Sequence, residues 1–342
     1  MRQKGCPVDP GPQPTCLSAR TKRRELLRRC SPSSAGKPSR GRCRRQSWRR
    51  DRVWSLDQIR RRFPDGLTDL PPHDGIRGAS TDDTQMTLFT AEGILDAYER
   101  GILRGIWHPS SSVHHALLRW LVTQGRTSPL TWPHMCLITD RRAHVRRAPG
   151  LTCLAALDAT KRLGEPVRSN SKGCGTIMRV APIALMLPRD MVQSAALECS
   201  AMTHGHPTGQ RAAAAWAELL RAVAEGADLE TAAAGIAQDN ATLTGDESSI
   251  AITLALRAPR DGTAETVETL GGGWVAEGSL SIALYACLAG REFEDALRTA
   301  VTHGGNSDST GAIAGNMLGL MYPDAVLAHP WSAAVEVVVR CP

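Results

Sequence analysis

From Trp54 onward, apolar residues recur with the period of a helix. Leu88, Ala91, Leu95 and Tyr98 fall on one face of such a pattern, and Ala214, Leu219 and Val223 do the same around Trp216. Two-residue alternation is scarce, and three Tyr and three Phe leave little to cover a sheet. The pattern predicts an all-α fold with one helical domain over residues 54–325, a basic arm over 1–53 and a C-terminal tail over 326–342. Breaks rich in Gly, Pro and Asp at 63–66, 71–75, 257–265 and 271–273 mark the loops. No fixed-period repeat occurs. No apolar run approaches the about 18 residues that a membrane span needs, and the amino terminus lacks the apolar stretch of a secretory signal.

Charge changes the picture only at one end. The net charge is +7, but residues 1–53 carry +13 and the remaining 289 carry −6. The arm has the composition of a disordered, nucleic-acid-binding or transit segment, and nucleic acid is expected only through it. The ten cysteines form no C-x-x-C pair, which excludes a zinc module and a disulfide framework and fits a reducing cytoplasm.

Chemistry concentrates in four stretches. In 78-GASTDDTQMTLF-89, Ser80 or Thr81 can cap a helix and place Asp82 and Asp83 in its first turn, where the helix dipole favours an acid by about 0.3–1 kcal/mol. Two carboxylates about 4 Å apart repel by roughly 4 kcal/mol at an effective dielectric near 20, so capping explains one acid and a bound cation explains two. In 303-HGGNSDSTGAIAGNMLG-319, Asn306, Asp308 and Ser309 form a second polar helix start, and Gly311, Gly315 and Gly319 open one face to a close neighbour. Hydroxyl, amide and carboxylate oxygens without sulfur or imidazole suit Mg²⁺ or Mn²⁺. In 168-RSNSKGCGTIMRVAPIAL-185, Asn170, Ser171, Gly173, Cys174 and Gly175 form a glycine-rich loop, either a plain connection or a phosphate cradle. In 203-THGHP-207, His204 and His206 are structural or functional.

Taken in order, these four motifs resemble the ADP-ribosylglycohydrolase family, which includes the dinitrogenase-reductase activating glycohydrolases. The resemblance covers about residues 54–325 and implies a compact, single-domain orthogonal bundle of helices. It implies two Mg²⁺ or Mn²⁺ ions held by Thr81, Asp82 and Asp83 on one side and by Asn306, Asp308 and Ser309 on the other. Asn170, Ser171, Gly173, Cys174, Gly175 and His204 match positions near the ADP-ribose. The implied reaction is hydrolysis of the glycosidic bond that joins ADP-ribose to a modified protein or a small conjugate. The different-class alternative is a catalytically inactive ADP-ribose binder or structural member.

Two positions depart from the family pattern. Asn306 stands where aspartate is common, which lowers the protein charge facing the ions from −4 to −3 and weakens their binding. The family's glycine-rich G-D-x-L-G segment and the glutamate after it are absent from 35-AGKPSRGRCRRQSWRRDRVW-54, and Arg52 stands near the glutamate's place. With suitable synonymous codons, that stretch read one nucleotide later spells RGSLLGGAAGDSLGAAIEFG, which contains the missing motif. A shifted reading frame accounts for the basic composition and for the return of family-like sequence at 54-WSLDQIRRRF-63. On this reading the chain retains its ion-binding residues and lacks the acid that activates water.

Overall fold

Twenty-three residues from Asp82 to Arg104 form the longest helix among the described residues, and Gly105, with φ of 66°, ends it. Its buried stripe runs through Met86, Phe89, Thr90, Gly93, Ile94 and Ala97. The face predicted from Leu88, Ala91, Leu95 and Tyr98 is instead the outer one, with Leu95 54% and Tyr98 37% exposed. The reason is that Thr90 and Gly93, which a count of apolar positions passes over, lie in the contact. Thr90 Oγ1 donates to the Met86 carbonyl (2.8 Å). A Cβ on Gly93 would lie 2.5 Å from Val113 Cα, so the glycine lets this helix cross closely over Pro109–Thr123.

The computed structural model describes residues 54–64, 66–130, 136–240 and 246–336, with side chains omitted at Cys136 and Asn240. Among them are fifteen α-helices, four short 3-10 turns and no strand; His73–Ile76 and Gly173–Val275 are isolated bridges. The expectation of an all-α fold is met. The arm over 1–53, including Arg52 and the stretch 35–53, lies outside the described residues.

A continuous core joins the first helix pair to the rest of the bundle. Trp120 from Pro109–Thr123, Trp216 from Pro207–Ala224 and Tyr285 from Ala276–Ala289 are all fully buried within it. Ala276–Ala289 is buried on almost every side, which explains why its sequence is apolar all round instead of striped. The predicted glycine face of Ser307–Met321 is used only at Gly311, where a Cβ would fall 2.6 Å from Val301 Cγ1; nothing lies within 4 Å of a Cβ at Gly315 or Gly319. No described helix is long and apolar enough to cross a membrane.

Candidate active site

Two helix starts face each other across a cavity of about 770 Å³, a size suited to a small-molecule ligand. Thr81, Asp82 and Asp83 open one helix; Asn306, Asp308 and Ser309 open the other, and all six line the cavity. Neither start is capped by a side chain. Thr81 Oγ1 donates to Asp83 Oδ2 (3.2 Å). Ser80 N and Oγ both donate to Glu336 Oε2, at 3.2 and 3.1 Å. The expected cap at Ser80 or Thr81 is absent: neither hydroxyl accepts from a backbone N–H of the first turn, and each donates to a carboxylate.

The carboxylates are under electrostatic load. Burial, then the charges of Asp83 and Asp308, push Asp82 up to about 8, while the N–H of Gly150 donating to its Oδ2 (2.9 Å) opposes the rise. Burial and Asp308 push Asp83 up to about 7, against hydrogen bonds from Ser309 and Thr81. Asp83 Oδ1 is buried without a hydrogen-bond partner. Such an atom calls for a proton or a cation. Among the described residues no three His, Cys, Asp or Glu side chains converge closely enough to hold a metal ion by themselves. Thr81, Asn306 and Ser309 add hydroxyl and amide oxygens to the same wall.

Asn306 contributes in a defined orientation. Its amide nitrogen donates to Cys174 Sγ (3.1 Å) and to the Gly273 carbonyl (3.2 Å), so Nδ2 is committed and Oδ1 is the oxygen this amide has to offer a ligand. Cys174 Sγ also lies 3.7 Å from Ser309 Oγ, so the glycine loop meets the second helix start through Cys174.

The glycine loop is a wall more than a cradle. Cys174 N donates to the Trp274 carbonyl (3.2 Å), and Gly173 N to Ser171 Oγ (3.4 Å). At least two N–H groups that a phosphate cradle would offer are used internally. Gly173, Cys174 and Gly175 line the cavity; Asn170 is exposed and Ser171 half-buried, and neither forms its wall. His204 does line it, only 1% exposed, and burial together with Arg179 pushes its pKa down to about 3. Both effects favour the neutral ring. His206 caps Pro207–Ala224, its Nδ1 accepting from Thr208 N (3.1 Å), which is the structural alternative.

Several wall residues carried no readable signal. Gly150 and Thr152 come from a short segment with no motif, and Trp274, 52% exposed, sits on the loop after the three glycines. Glu336, from the segment set apart as a tail, braces the first helix start: it pairs with the buried Arg147, whose Nη1 also donates to the Ser80 carbonyl (3.1 Å). Only the fold brings residues 80, 147 and 336 together.

Comparisons with known proteins bear on the family and the fold. The family model described as ADP-ribosylglycohydrolase matches residues 47–340. A search of curated proteins gives no match. A solved structure titled "ADP-ribosylglycohydrolase-related protein complex" superposes with a TM-score of 0.58 at 25% identity, over 79% of this chain and 81% of that one. With the two acid-bearing helix starts, the intervening glycine loop and the match over residues 47–340, the chain belongs to the ADP-ribosylglycohydrolase family, a family of hydrolases.

Proposed function

We propose that the cavity binds the ADP-ribosyl end of a modified protein or small conjugate and that the site belongs to a metal-dependent glycosidic hydrolase deprived of its water-activating acid. The observation that carries this reading is the buried Asp83 Oδ1 without a partner, between hydroxyl, amide and carboxylate oxygens from two helix starts. That donor chemistry fits two Mg²⁺ or Mn²⁺ ions, with Thr81, Asp82 and Asp83 on one side and Asn306, Asp308 and Ser309 on the other. When bound, the ions would polarise sugar hydroxyls and lower the pKa of water. The chain's own residues orient and enclose. Gly150 N holds the Asp82 carboxylate, Cys174 Sγ and the Gly273 carbonyl hold the Asn306 amide, and the neutral His204 offers no charge to the wall.

The stretch 35–54 contains no glutamate, where the family resemblance implies the water-activating one. This favours the second reading, an ADP-ribose binder with little turnover, for the chain in its present sequence. General acid–base assistance contributes about 10²–10⁴-fold, so its loss suppresses hydrolysis without abolishing binding. The test is replacement of residues 35–54 by RGSLLGGAAGDSLGAAIEFG, followed by release of ADP-ribose from ADP-ribosyl-arginine and ADP-ribosyl-serine peptides with Mn²⁺. Turnover is expected only in the replaced chain, and Arg52→Glu alone should not restore it. Robust metal-dependent turnover by the unmodified chain would refute the loss. We assign the protein to a reducing compartment such as the cytoplasm, consistent with free thiols at Cys153, Cys174, Cys199 and Cys287.

A further inference from the structure

Arg179 is fully buried, and among the described residues its charged neighbours include no carboxylate. Its guanidinium is held by neutral oxygens: Nε donates to the Gly175 carbonyl (2.9 Å), and Nη2 to the Cys199 carbonyl (3.0 Å) and Thr203 Oγ1 (2.9 Å). Thr203 Oγ1 in turn lies 2.8 Å from His204 Nδ1 and 3.5 Å from the Ser200 carbonyl.

Counting hydrogens resolves the direction of this chain. A hydroxyl has one hydrogen to give, and Thr203 already accepts from Arg179. The Ser200 carbonyl is beyond the usual reach of an O–H donor, about 2.5–3.0 Å, whereas His204 Nδ1 is within it. The guanidinium also polarises the hydroxyl toward giving its hydrogen away. Nδ1 therefore accepts, and the ring proton resides on Nε2. That nitrogen has no hydrogen-bond partner among the described residues, and His204 forms part of the cavity wall. Two missing side chains keep it open: a Cβ on Gly173 would lie 3.2 Å from Nε2, and one on Gly175 would lie 3.3 Å from it.

We propose that Arg179 and Thr203 are positioning residues that hold His204 as the Nε2–H tautomer, a fixed hydrogen-bond donor aimed into the cavity at a ligand oxygen. The identity of that ligand as ADP-ribose rests on the function proposed above; the tautomer does not. Burial and Arg179, which push the ring toward neutrality, point the same way. His204 then binds by donation and does not take up a proton.

The test uses full-length protein labelled with ¹⁵N-histidine. Long-range ¹H–¹⁵N correlation at neutral pH distinguishes a protonated from an unprotonated ring nitrogen, and His204→Gln identifies the signal by its loss. Wild type and Thr203→Ser should show protonated Nε2 and bare Nδ1, and Thr203→Val should show a tautomer mixture or protonated Nδ1. Protonated Nδ1 in wild type, or an unchanged spectrum in Thr203→Val, would overturn the proposal. If Thr203→Val does not fold, the wild-type and Thr203→Ser spectra decide alone. In a parallel calorimetric titration with Mn²⁺ and ADP-ribose, Thr203→Val should bind about three- to tenfold more weakly and Thr203→Ser within about twofold of wild type. Absence of ADP-ribose binding by wild type would count against the proposed function and leave the tautomer result standing.

Discussion

Gly175→Ala tests how tightly the glycine loop, the buried thiol and the histidine are packed. A Cβ there would lie 2.7 Å from Cys153 Sγ and 2.9 Å from His204 Cε1, against about 3.5–4.0 Å for an ordinary contact. Neither neighbour can yield easily. Cys153 and His204 are each 1% exposed, and the imidazole is tied to Thr203. The change should overpack the site at a cost of about 1–3 kcal/mol, which lowers the melting temperature by about 2–10 °C. Urea unfolding of metal-free protein measures the loss, and ADP-ribose titration should show weaker binding as His204 is displaced. Cys153→Ala alone should cost about 1–2 kcal/mol for the vacated sulfur volume. In the double variant the alanine methyl occupies part of that volume, so the two losses should fall short of their sum by about 1 kcal/mol or more. Additivity within about 0.5 kcal/mol, or a neutral Gly175→Ala, would refute the packing argument.

Three other predictions follow from the carboxylates and their supports. The folded-state pKa values of Asp82 (about 8) and Asp83 (about 7) exceed the ordinary value of 3.8, so the native state binds more protons than the unfolded chain across that interval. Metal-free stability should therefore fall as pH rises from about 4 to about 8, and saturating Mn²⁺ should remove the decline; urea midpoints that rise over pH 5–8 in EDTA would contradict this. Asn306→Asp should bind Mn²⁺ about tenfold more tightly, yet lose about 1–3 kcal/mol without metal, because a carboxylate cannot donate to the Gly273 carbonyl and Cys174 Sγ. Titration calorimetry and metal-free urea melts check the two halves, and unchanged affinity would show that position 306 faces away from the ions. Glu336→Ala should destabilise the fold by about 3 kcal/mol, since Arg147 would remain buried and unpaired, and should weaken Mn²⁺ binding through the loosened Ser80 segment; melts and metal titrations unchanged from wild type would refute the brace.

The sequence alone carried the helical period, the loop breaks and the two acid-bearing helix starts, because each depends on residues a few positions apart. Asp82 and Asp83 in one first turn and Asp308 in another were legible for that reason, and so was the family resemblance built on four ordered motifs. What the period did not reveal was which face of Asp82–Arg104 turns inward. Local apolar counting chose Leu88 and Leu95, while the close crossing at Gly93 against Val113 selected the stripe through Thr90 and Gly93. The glycine loop followed the same rule. Its glycines were visible, but their use depends on His204 packing against Gly173 and Gly175 and on Trp274 taking the Cys174 N–H, contacts made across long chain separations. Tertiary structure likewise assigned different tasks to two histidines in one pentapeptide: His206 caps the helix that follows it, and His204 reaches the cavity through Thr203 and Arg179. The brace from Glu336 to Ser80 spans most of the chain, and no local pattern can encode it, since an ion pair requires only that two charges meet in space.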